Sequence, residues 1–311
     1  MTLLRSFLAA LGLLFAAAQA FAGIHVANNL TEEMSVSPGD HLSKSLIVHN
    51  DDQEPVEVKI GQYDYRTLAD GSVLFDPPGT QVRSNANWIH LDTTRVRLDK
   101  NMEWQIPYTI TVPNDPSLKG TYWSTLMVEP APAAFRTPEK GVGLQFVVRY
   151  AIKIATTIRG TGEVKLQISK PVIQVLDKDR RVVMGVANSG TRLFMPTAVL
   201  QVYAKDGRVL LESRRPAQAL FPGCGLYYTF DVNTLDPGKY ASLVLLESEG
   251  DTDNVFGAQV ELDIPTLGSA PVTQPSLPNA PPTAAPNTTP AAPPTTPAIE
   301  PTVPAANPAT S

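Results

Sequence analysis

The chain has 311 residues, of which 43% are hydrophobic, and a net charge of −5. This length and composition predict two domains with ordinary cores, together with additional segments. The acidic balance argues against nucleic acid as a partner, because proteins that bind nucleic acid usually carry a basic face. The single cysteine, Cys224, excludes an intramolecular disulfide, and we interpret it as a small residue in the turn Pro222–Gly225.

The first 22 residues have the pattern of a secretory signal peptide. Arg5 supplies the positive start, Leu8–Ala18 is an apolar run too short to span a membrane, and Ala20 and Ala22 offer cleavage sites of the A-x-A kind. No second long apolar stretch follows. We therefore expect a soluble mature chain in the periplasm, with secretion or display on the cell surface as the alternative.

Alternation of apolar and polar residues predicts strands from residue 23 to about residue 160. Ile24–Val36 is interpreted as the first strand. Val48 and Val56 lie on either side of the polar turn Asn50–Asp52, which indicates a hairpin. Trp104–Val112 alternates throughout, as expected of a strand with one face in a core and one in water.

Gly120 and Tyr122 open the next strand in a pattern that resembles the tyrosine corner of immunoglobulin-like sandwiches. The loop Glu129–Gly143, rich in Pro and Ala, then precedes Leu144–Ala155, the clearest strand of this part of the chain. One face of that strand carries Phe146, Val148, Tyr150, Ile152 and Ile154, and the other carries Val147, Arg149, Ala151 and Lys153.

Residues 161–266 repeat this style. Arg181–Asn188 ends at Asn188 much as the earlier strand ends at Asn50, and Leu235–Tyr240 is a second tyrosine-corner candidate. Short strands separated by turns at intervals of about 8–12 residues are typical of sandwiches. We predict an all-β protein with two immunoglobulin-like β-sandwich domains in tandem, at 23–160 and 161–266, and no helix beyond the signal peptide.

Residues 267–311 form a tail of different composition. Pro, Thr and Ala dominate, and Glu300 is its one charged residue. Such a segment cannot bury enough apolar surface to offset its ordering entropy, so we predict disorder. The tail is interpreted as a spacer, with a stalk or an O-glycosylated segment as the alternative.

The sequence contains no recognisable catalytic or metal-binding motif. His25, His41, His49 and His90 lack the spacing of metal ligands, and we interpret them as residues of strands or turns. The acidic pair Asp51-Asp52 is interpreted as a solvated turn rather than a calcium site. We therefore predict that the protein is not an enzyme and has no cofactor and no metal.

Leu144–Gly160 resembles the last strand of the first domain in periplasmic pilus-assembly chaperones of the PapD type. This resemblance implies a strand that offers alternating apolar residues to a pilus subunit, and a lysine that binds the subunit's terminal carboxylate. Leu144, Phe146, Val148 and Ile152 match the apolar row, Lys153 matches the lysine, and Arg149 lies four positions before it on the same face. The family's arginine has no counterpart, because Ile24–Val36 contains no Arg or Lys.

Leu46–Val128 also resembles the immunoglobulin-like domain of WxL-interacting surface proteins, through Asn50, Trp88-Ile89, Val112-Pro113 and Gly120-x-Tyr122.

Two functions follow as expectations from these resemblances. The first is a chaperone-like binding protein that takes pilin-like or other envelope subunits by strand addition. The alternative is a structural or adhesive surface protein with the tail as a stalk. Lys153 is either a carboxylate anchor in an interdomain cleft or a solvent-facing lysine.

Overall fold

The structure is a computed structural model, and it describes residues 23–131, 147–176, 178–249 and 251–267. The predicted signal peptide, the predicted tail beyond residue 267 and most of the loop Glu129–Gly143 lie outside these residues. The described residues form β-strands and one turn of 3-10 helix at Ala86–Trp88. They fold into immunoglobulin-like β-sandwiches in tandem, which confirms the predicted fold class. Among them, no helix is long and apolar enough to cross a membrane.

The first sandwich contains ten strands. In chain order they are β1 (Ile24–Val26), β2 (Thr31–Val36), β3 (His41–Asn50), β4 (Val56–Thr67), β5 (Val73–Asp76), β6 (Ile89–Leu91), β7 (Arg95–Leu98), β8 (Glu103–Thr111), β9 (Thr121–Pro130) and β10 (Tyr150–Ile158). Sheet I has the order β1-β3-β8-β6. Sheet II has the order β2-β10-β9-β4-β5, and β7 also pairs with β4.

The core of this sandwich lies between sheets I and II. Ile106, Tyr108 and Ile110 of β8 are buried there, as the alternation predicted. Trp104, which shares their parity, is 43% exposed, because it lies near the start of the strand, away from the centre of the core. The periodicity therefore predicted the buried face correctly and missed where that face ends.

Ile24–Val36 is two strands rather than one, so that prediction was wrong. β1 pairs antiparallel with β3 in sheet I, whereas β2 pairs parallel with β10 in sheet II. Asn28 stabilises the crossing between the sheets. Its side-chain amide donates to the Ser45 carbonyl at 2.9 Å, and its side-chain oxygen accepts from the Ile47 N–H at 2.7 Å. The Asn side chain thus bonds backbone groups of β3 where β1 leaves the sheet.

The predicted hairpin around Asn50 was also wrong, because β3 and β4 lie in different sheets. The Asn50 side chain is fully buried and donates to the carbonyls of Glu54 at 2.9 Å and Asp99 at 3.1 Å. A buried amide that satisfies several carbonyls stabilises an arch between sheets as well as it would a tight turn. Asn188 has the same role in the second sandwich, where it donates to the Leu220 carbonyl at 2.9 Å.

The second sandwich contains eight strands. They are β11 (Leu166–Ile168), β12 (Val172–Leu176), β13 (Asp179–Asn188), β14 (Thr197–Tyr203), β15 (Val209–Arg215), β16 (Gly225–Asp231), β17 (Gly238–Ser248) and β18 (Asp251–Ile264). Sheet III has the order β11-β13-β12, with β16 also paired to β13, and sheet IV has the order β15-β14-β17-β18. The limits predicted for the two domains stay predictions.

The second tyrosine corner is present and the first is not. The Tyr240 hydroxyl donates to the Asp236 carbonyl at 2.9 Å, four residues upstream, which closes the corner. Tyr122 instead packs its ring against Trp88, with 4.8 Å between centroids, and the Arg83 guanidinium lies 5.3 Å from the same ring. The Gly-x-Tyr pattern alone did not distinguish these two uses of tyrosine.

The outer face of sheet II packs against the second sandwich. Phe221 contacts the rings of Tyr65 and Trp123, at centroid distances of 5.3 and 4.8 Å, and Ala155 of β10 belongs to the same buried cluster. Cys224 is buried there as well, and this burial raises the pKa of its thiol. The cysteine is therefore a buried packing residue, whereas the sequence indicated only a small residue in a turn.

Gly120 allows the two sandwiches to approach closely. A Cβ at this position would lie 2.0 Å from the backbone oxygen of Thr191, and the residue has φ +71°. The Thr121 N–H donates to that same Thr191 oxygen at 2.8 Å. A side chain at position 120 would displace this hydrogen bond, so glycine is required by both the backbone conformation and the contact.

Candidate functional site

The candidate site lies at the start of β10. This strand begins at Tyr150, later than the predicted Leu144, and extends to Ile158. On one side it pairs with β9 along its length, but on the other side β2 covers only Lys153–Ile158. Among the described residues, Tyr150–Ile152 therefore have no strand on that second side. The first three residues of β10 form an open sheet edge.

The open edge presents backbone hydrogen-bonding groups at Ala151. The Lys153 N–H points to β2 and donates to the Leu30 carbonyl at 3.0 Å. Alternate residues of a strand direct their backbone groups to the same side, so the N–H and C=O of Ala151 point in this direction too. No described strand reaches them. Unpaired groups of this kind form a template for an added strand.

Lys153 lies on the outer face of sheet II, immediately beyond the open edge. Its ammonium is 5.8 Å from the centroid of the Tyr65 ring, and its register partner on β9 is Thr125. The side chain is half-buried, and this desolvation lowers the pKa of Lys153 below its ordinary value. Among the described residues, no carboxylate lies within ion-pair distance of its ammonium. Lys153 is therefore a partly desolvated cation that has no carboxylate partner among the described residues. A lysine that faces solvent would instead keep its ammonium fully hydrated.

Arg149 is 3.6 Å from the Glu129 carboxylate, so it already has an acidic partner. Lys59 shares that carboxylate at 3.8 Å. Arg149 lies before β10 and its side chain is largely exposed. The two cations that the sequence grouped together consequently differ. Within the described part of the chain, Lys153 contacts the face of an aromatic ring and no carboxylate, whereas Arg149 belongs to a surface ion pair.

The predicted apolar row divides into three groups. Leu144 and Phe146 lie outside the described residues. Val148 is 58% exposed, and so available to a partner, with Val147 beside it at 47%. Ile152 is fully buried in the core of its own sandwich, so its assignment to a partner was wrong. Alternation shows which residues share a face, but it does not show whether that face is turned inward.

A cavity of about 920 Å³ opens between the two sandwiches near the other end of β10. Its lining includes Glu33 of β2, Arg159 after β10 and Arg192 before β14. Desolvation raises the pKa of the Glu33 carboxyl, against the opposing effect of Arg192. None of the residues predicted from sequence lines this cavity, which is therefore separate from the open edge.

A cluster that the sequence analysis missed lies on sheet I. His25 and His49 are opposite each other in the β1–β3 pairing, and Asp51 follows β3 directly. The Asp51 carboxylate is 2.5 Å from Nδ1 of His25 and 2.8 Å from Nδ1 of His49. Only the register of β1 against β3 brings these residues together, and the single long strand predicted for Ile24–Val36 concealed that register.

Comparison with known proteins gives matches to solved structures alone. No family model matches the chain, and a search of curated proteins finds no match. The structure is similar to a class 5 fimbriae chaperone, CfaA, at 13% identity and TM-score 0.42, over 78% of this chain and 100% of that one. It is also similar to a chain of the CsuC–CsuE chaperone–tip adhesion subunit pre-assembly complex from Acinetobacter baumannii. That match has 10% identity and TM-score 0.39, over 78% of this chain and 98% of that one.

A third similar structure is the Salmonella enterica SafA pilin in complex with the SafB chaperone. Here the identity is 14% and the TM-score 0.39, over 78% of this chain and 99% of the other. Fimbrial chaperones thus recur among the similar structures, as the sequence resemblance predicted. The fold itself is assigned from the strand topology described above, and the function is inferred from the geometry of β10.

Proposed function

We propose that this chain is an exported, non-enzymatic binding protein that assists the folding or assembly of pilin-like or other envelope subunits by strand addition. One observation carries the proposal: β10 begins with an open sheet edge at Tyr150–Ile152, immediately followed by a half-buried lysine that lacks a carboxylate partner among the described residues. A strand from a subunit would pair with the edge, and an acidic group on it would meet Lys153.

Backbone hydrogen bonds would set the register of the added strand. The N–H and C=O of Ala151 are the first groups available, since those of Lys153 are turned towards β2. Strand addition of this kind uses main-chain bonds for affinity and alternate side chains for selectivity. Val147 and Val148 would supply that selectivity, because both are exposed beside the edge.

Lys153 would fix the end or the register of the added strand through charge. Its half-buried position weakens solvation of the ammonium, and a carboxylate placed there would replace the lost water by a charge-assisted hydrogen bond. Such bonds contribute about 1.5–3 kcal/mol each, which corresponds to at least about a tenfold change in affinity. A free chain-terminal carboxylate and an Asp or Glu side chain would both satisfy this geometry.

Photocrosslinking tests the proposal in cells. A benzophenone side chain replaces Val148 at the open edge, and the control places the same group at Val209 of β15, an exposed valine of the second sandwich. We expect crosslinks from position 148 to a secreted β-protein that lacks one strand of its own sandwich, and few from position 209. Equal crosslinking at both positions would overturn the proposal.

The role of Lys153 is tested separately with Lys153→Met, which keeps the length of the side chain and removes the charge. Lys239→Met is the matched control, because Lys239 is an exposed lysine on β17 paired with Glu261 at 3.3 Å. We expect the affinity for the captured subunit to fall about tenfold or more with Lys153→Met and to stay unchanged with Lys239→Met. Equal affinities would remove Lys153 from the site and leave the open edge to act alone.

The alternative function, a structural or adhesive surface protein with a stalk, depends on residues 268–311, which lie outside the described part. Crosslinks from position 148 to surface material on intact cells, with none to periplasmic subunits, would favour that alternative.

A further inference from the structure

We propose that His25, His49 and Asp51 form a binding site for a divalent transition-metal ion such as Zn²⁺, which clamps the first strand of the sandwich to its neighbour. The site lies on sheet I, the sheet that does not contain β10. It goes beyond the strand-addition function, because none of its three ligands belongs to the open edge.

The three side chains converge without any metal. A ring nitrogen of His25, a ring nitrogen of His49 and a carboxylate oxygen of Asp51 all lie within 4.8 Å of one another. The two Nδ1 atoms approach the two different oxygens of Asp51, and the imidazole centroids are 5.0 Å apart. Ligands of tetrahedral zinc, bound at about 2.0–2.2 Å, are about 3.3 Å apart. Side-chain adjustments of about 1 Å would admit the ion in place of the present hydrogen bonds.

The backbone holds two of these ligands at a fixed separation. His25 and His49 are directly opposite in an antiparallel pair, where Cβ atoms are about 4.5–5.5 Å apart and both side chains point to the same face. The Asp51 N–H donates to the Gly23 carbonyl at 2.8 Å, which fixes the residue beside the start of β1. The site is thus positioned by backbone hydrogen bonds from both strands.

The chemistry of the three groups suits a borderline metal ion. Imidazole nitrogen binds Zn²⁺, Cu²⁺ and Ni²⁺ well, and a carboxylate supplies negative charge. Each neutral imidazole can carry its proton on Nε2 and leave Nδ1 free to bind the ion.

The surroundings leave room for a fourth ligand. The side chains of His25, His49 and Asp51 are partly exposed, with 48%, 26% and 43% of their surfaces accessible. Three protein ligands with one open position is the arrangement in which zinc retains a water molecule. An accessible site on the first strand would load from solvent after the chain has folded, and bound metal would resist detachment of β1.

Isothermal titration with ZnCl₂ tests the site on the exported protein, purified without a polyhistidine tag. We expect one ion per chain, with affinity at least about tenfold weaker in His49→Ala and in Asp51→Asn. His90→Ala is the matched control, because His90 is an exposed histidine that pairs with one aspartate, Asp92, at 3.2 Å. That variant should bind Zn²⁺ as the parent does, and circular dichroism should show the same β-sandwich signal in all four proteins.

Three results would overturn the proposal. The first is Zn²⁺ binding that is unchanged by both His49→Ala and Asp51→Asn. The second is Zn²⁺ binding that is unchanged by His49→Ala, because processing after Ala22 would create an amino-terminal Gly-Ile-His, whose amine, backbone amides and imidazole can hold a metal ion without His49. Absence of any heat of binding by the parent protein at millimolar ZnCl₂ would contradict the proposal as well.

Discussion

Phe221→Ala should uncouple the second sandwich from the face that carries Lys153. The ring is 1% exposed and packs against Tyr65 and Trp123, with 5.3 and 4.8 Å between ring centroids. Replacing a buried phenylalanine by alanine costs about 3–5 kcal/mol, and the low end applies where neighbouring loops can move inward. Residues Pro222–Gly225 form such a turn directly after Phe221, so we expect a loss of about 3 kcal/mol.

For a chain of this size, about 3 kcal/mol corresponds to a fall of about 6–12 °C in the thermal midpoint. Trp123 belongs to the cluster, so tryptophan fluorescence, to which Trp88 and Trp104 also contribute, is measured together with calorimetry during thermal unfolding. Phe75→Ala is the control, since Phe75 lies on β5, is 43% exposed and contacts Tyr63 at 6.2 Å between centroids. The control should shift the midpoint by a third of that amount or less. A similar small shift for both variants would refute the view that the two sandwiches are held together through Phe221.

The remaining predictions concern Lys153, Gly120 and Tyr240. Desolvation lowers the pKa of Lys153, so holding its charged form costs stability at neutral pH, and this cost is relieved as the pH rises through the lowered pKa towards the ordinary value of 10.5. The thermal midpoint of the parent should therefore rise relative to that of Lys153→Met as the pH is raised towards 10.5, and a constant difference would contradict the burial of the ammonium. Gly120→Ala should lower the free energy of urea unfolding by at least about 2 kcal/mol, because a clash with the Thr191 oxygen adds to the strain of its positive φ. Gly71→Ala, the control, has φ +85° and open space around it, so it should lose about 1–2 kcal/mol from strain alone. Equal losses would show that the sandwiches can separate at this point. Tyr240→Phe should lose about 0.5–1.5 kcal/mol with the hydrogen bond to the Asp236 carbonyl, and unchanged urea stability would show that this corner is dispensable.

The fold class could be predicted from the sequence because alternation of period two records which side chains are buried. Ile106, Tyr108 and Ile110 alternate with exposed neighbours, and the structure buries all three. The sheet to which a strand belongs is not recorded in that pattern. Asn50 was therefore interpreted as a hairpin signal, although its side chain, like that of Asn188, stabilises an arch between sheets.

The candidate site stays a prediction, and part of its geometry could not be predicted from the sequence. Lys153 was singled out through the resemblance to pilus chaperones, but its half-burial over Tyr65 depends on contacts with distant residues. Ile152 was assigned to a partner because periodicity does not distinguish an inward from an outward apolar face. His25 and His49 are 24 positions apart in the sequence, and only the pairing of β1 with β3 brings them together.

Amide hydrogen exchange on the complex between this protein and a captured subunit tests the central claim most directly. Strand addition at the start of β10 predicts that the amide of Ala151, which points away from β9, becomes protected when the subunit binds. Amides of Lys153–Ile158 should change little, because they already lie between β2 and β9. Unchanged exchange at Ala151, together with new protection elsewhere on the chain, would contradict binding at the open edge.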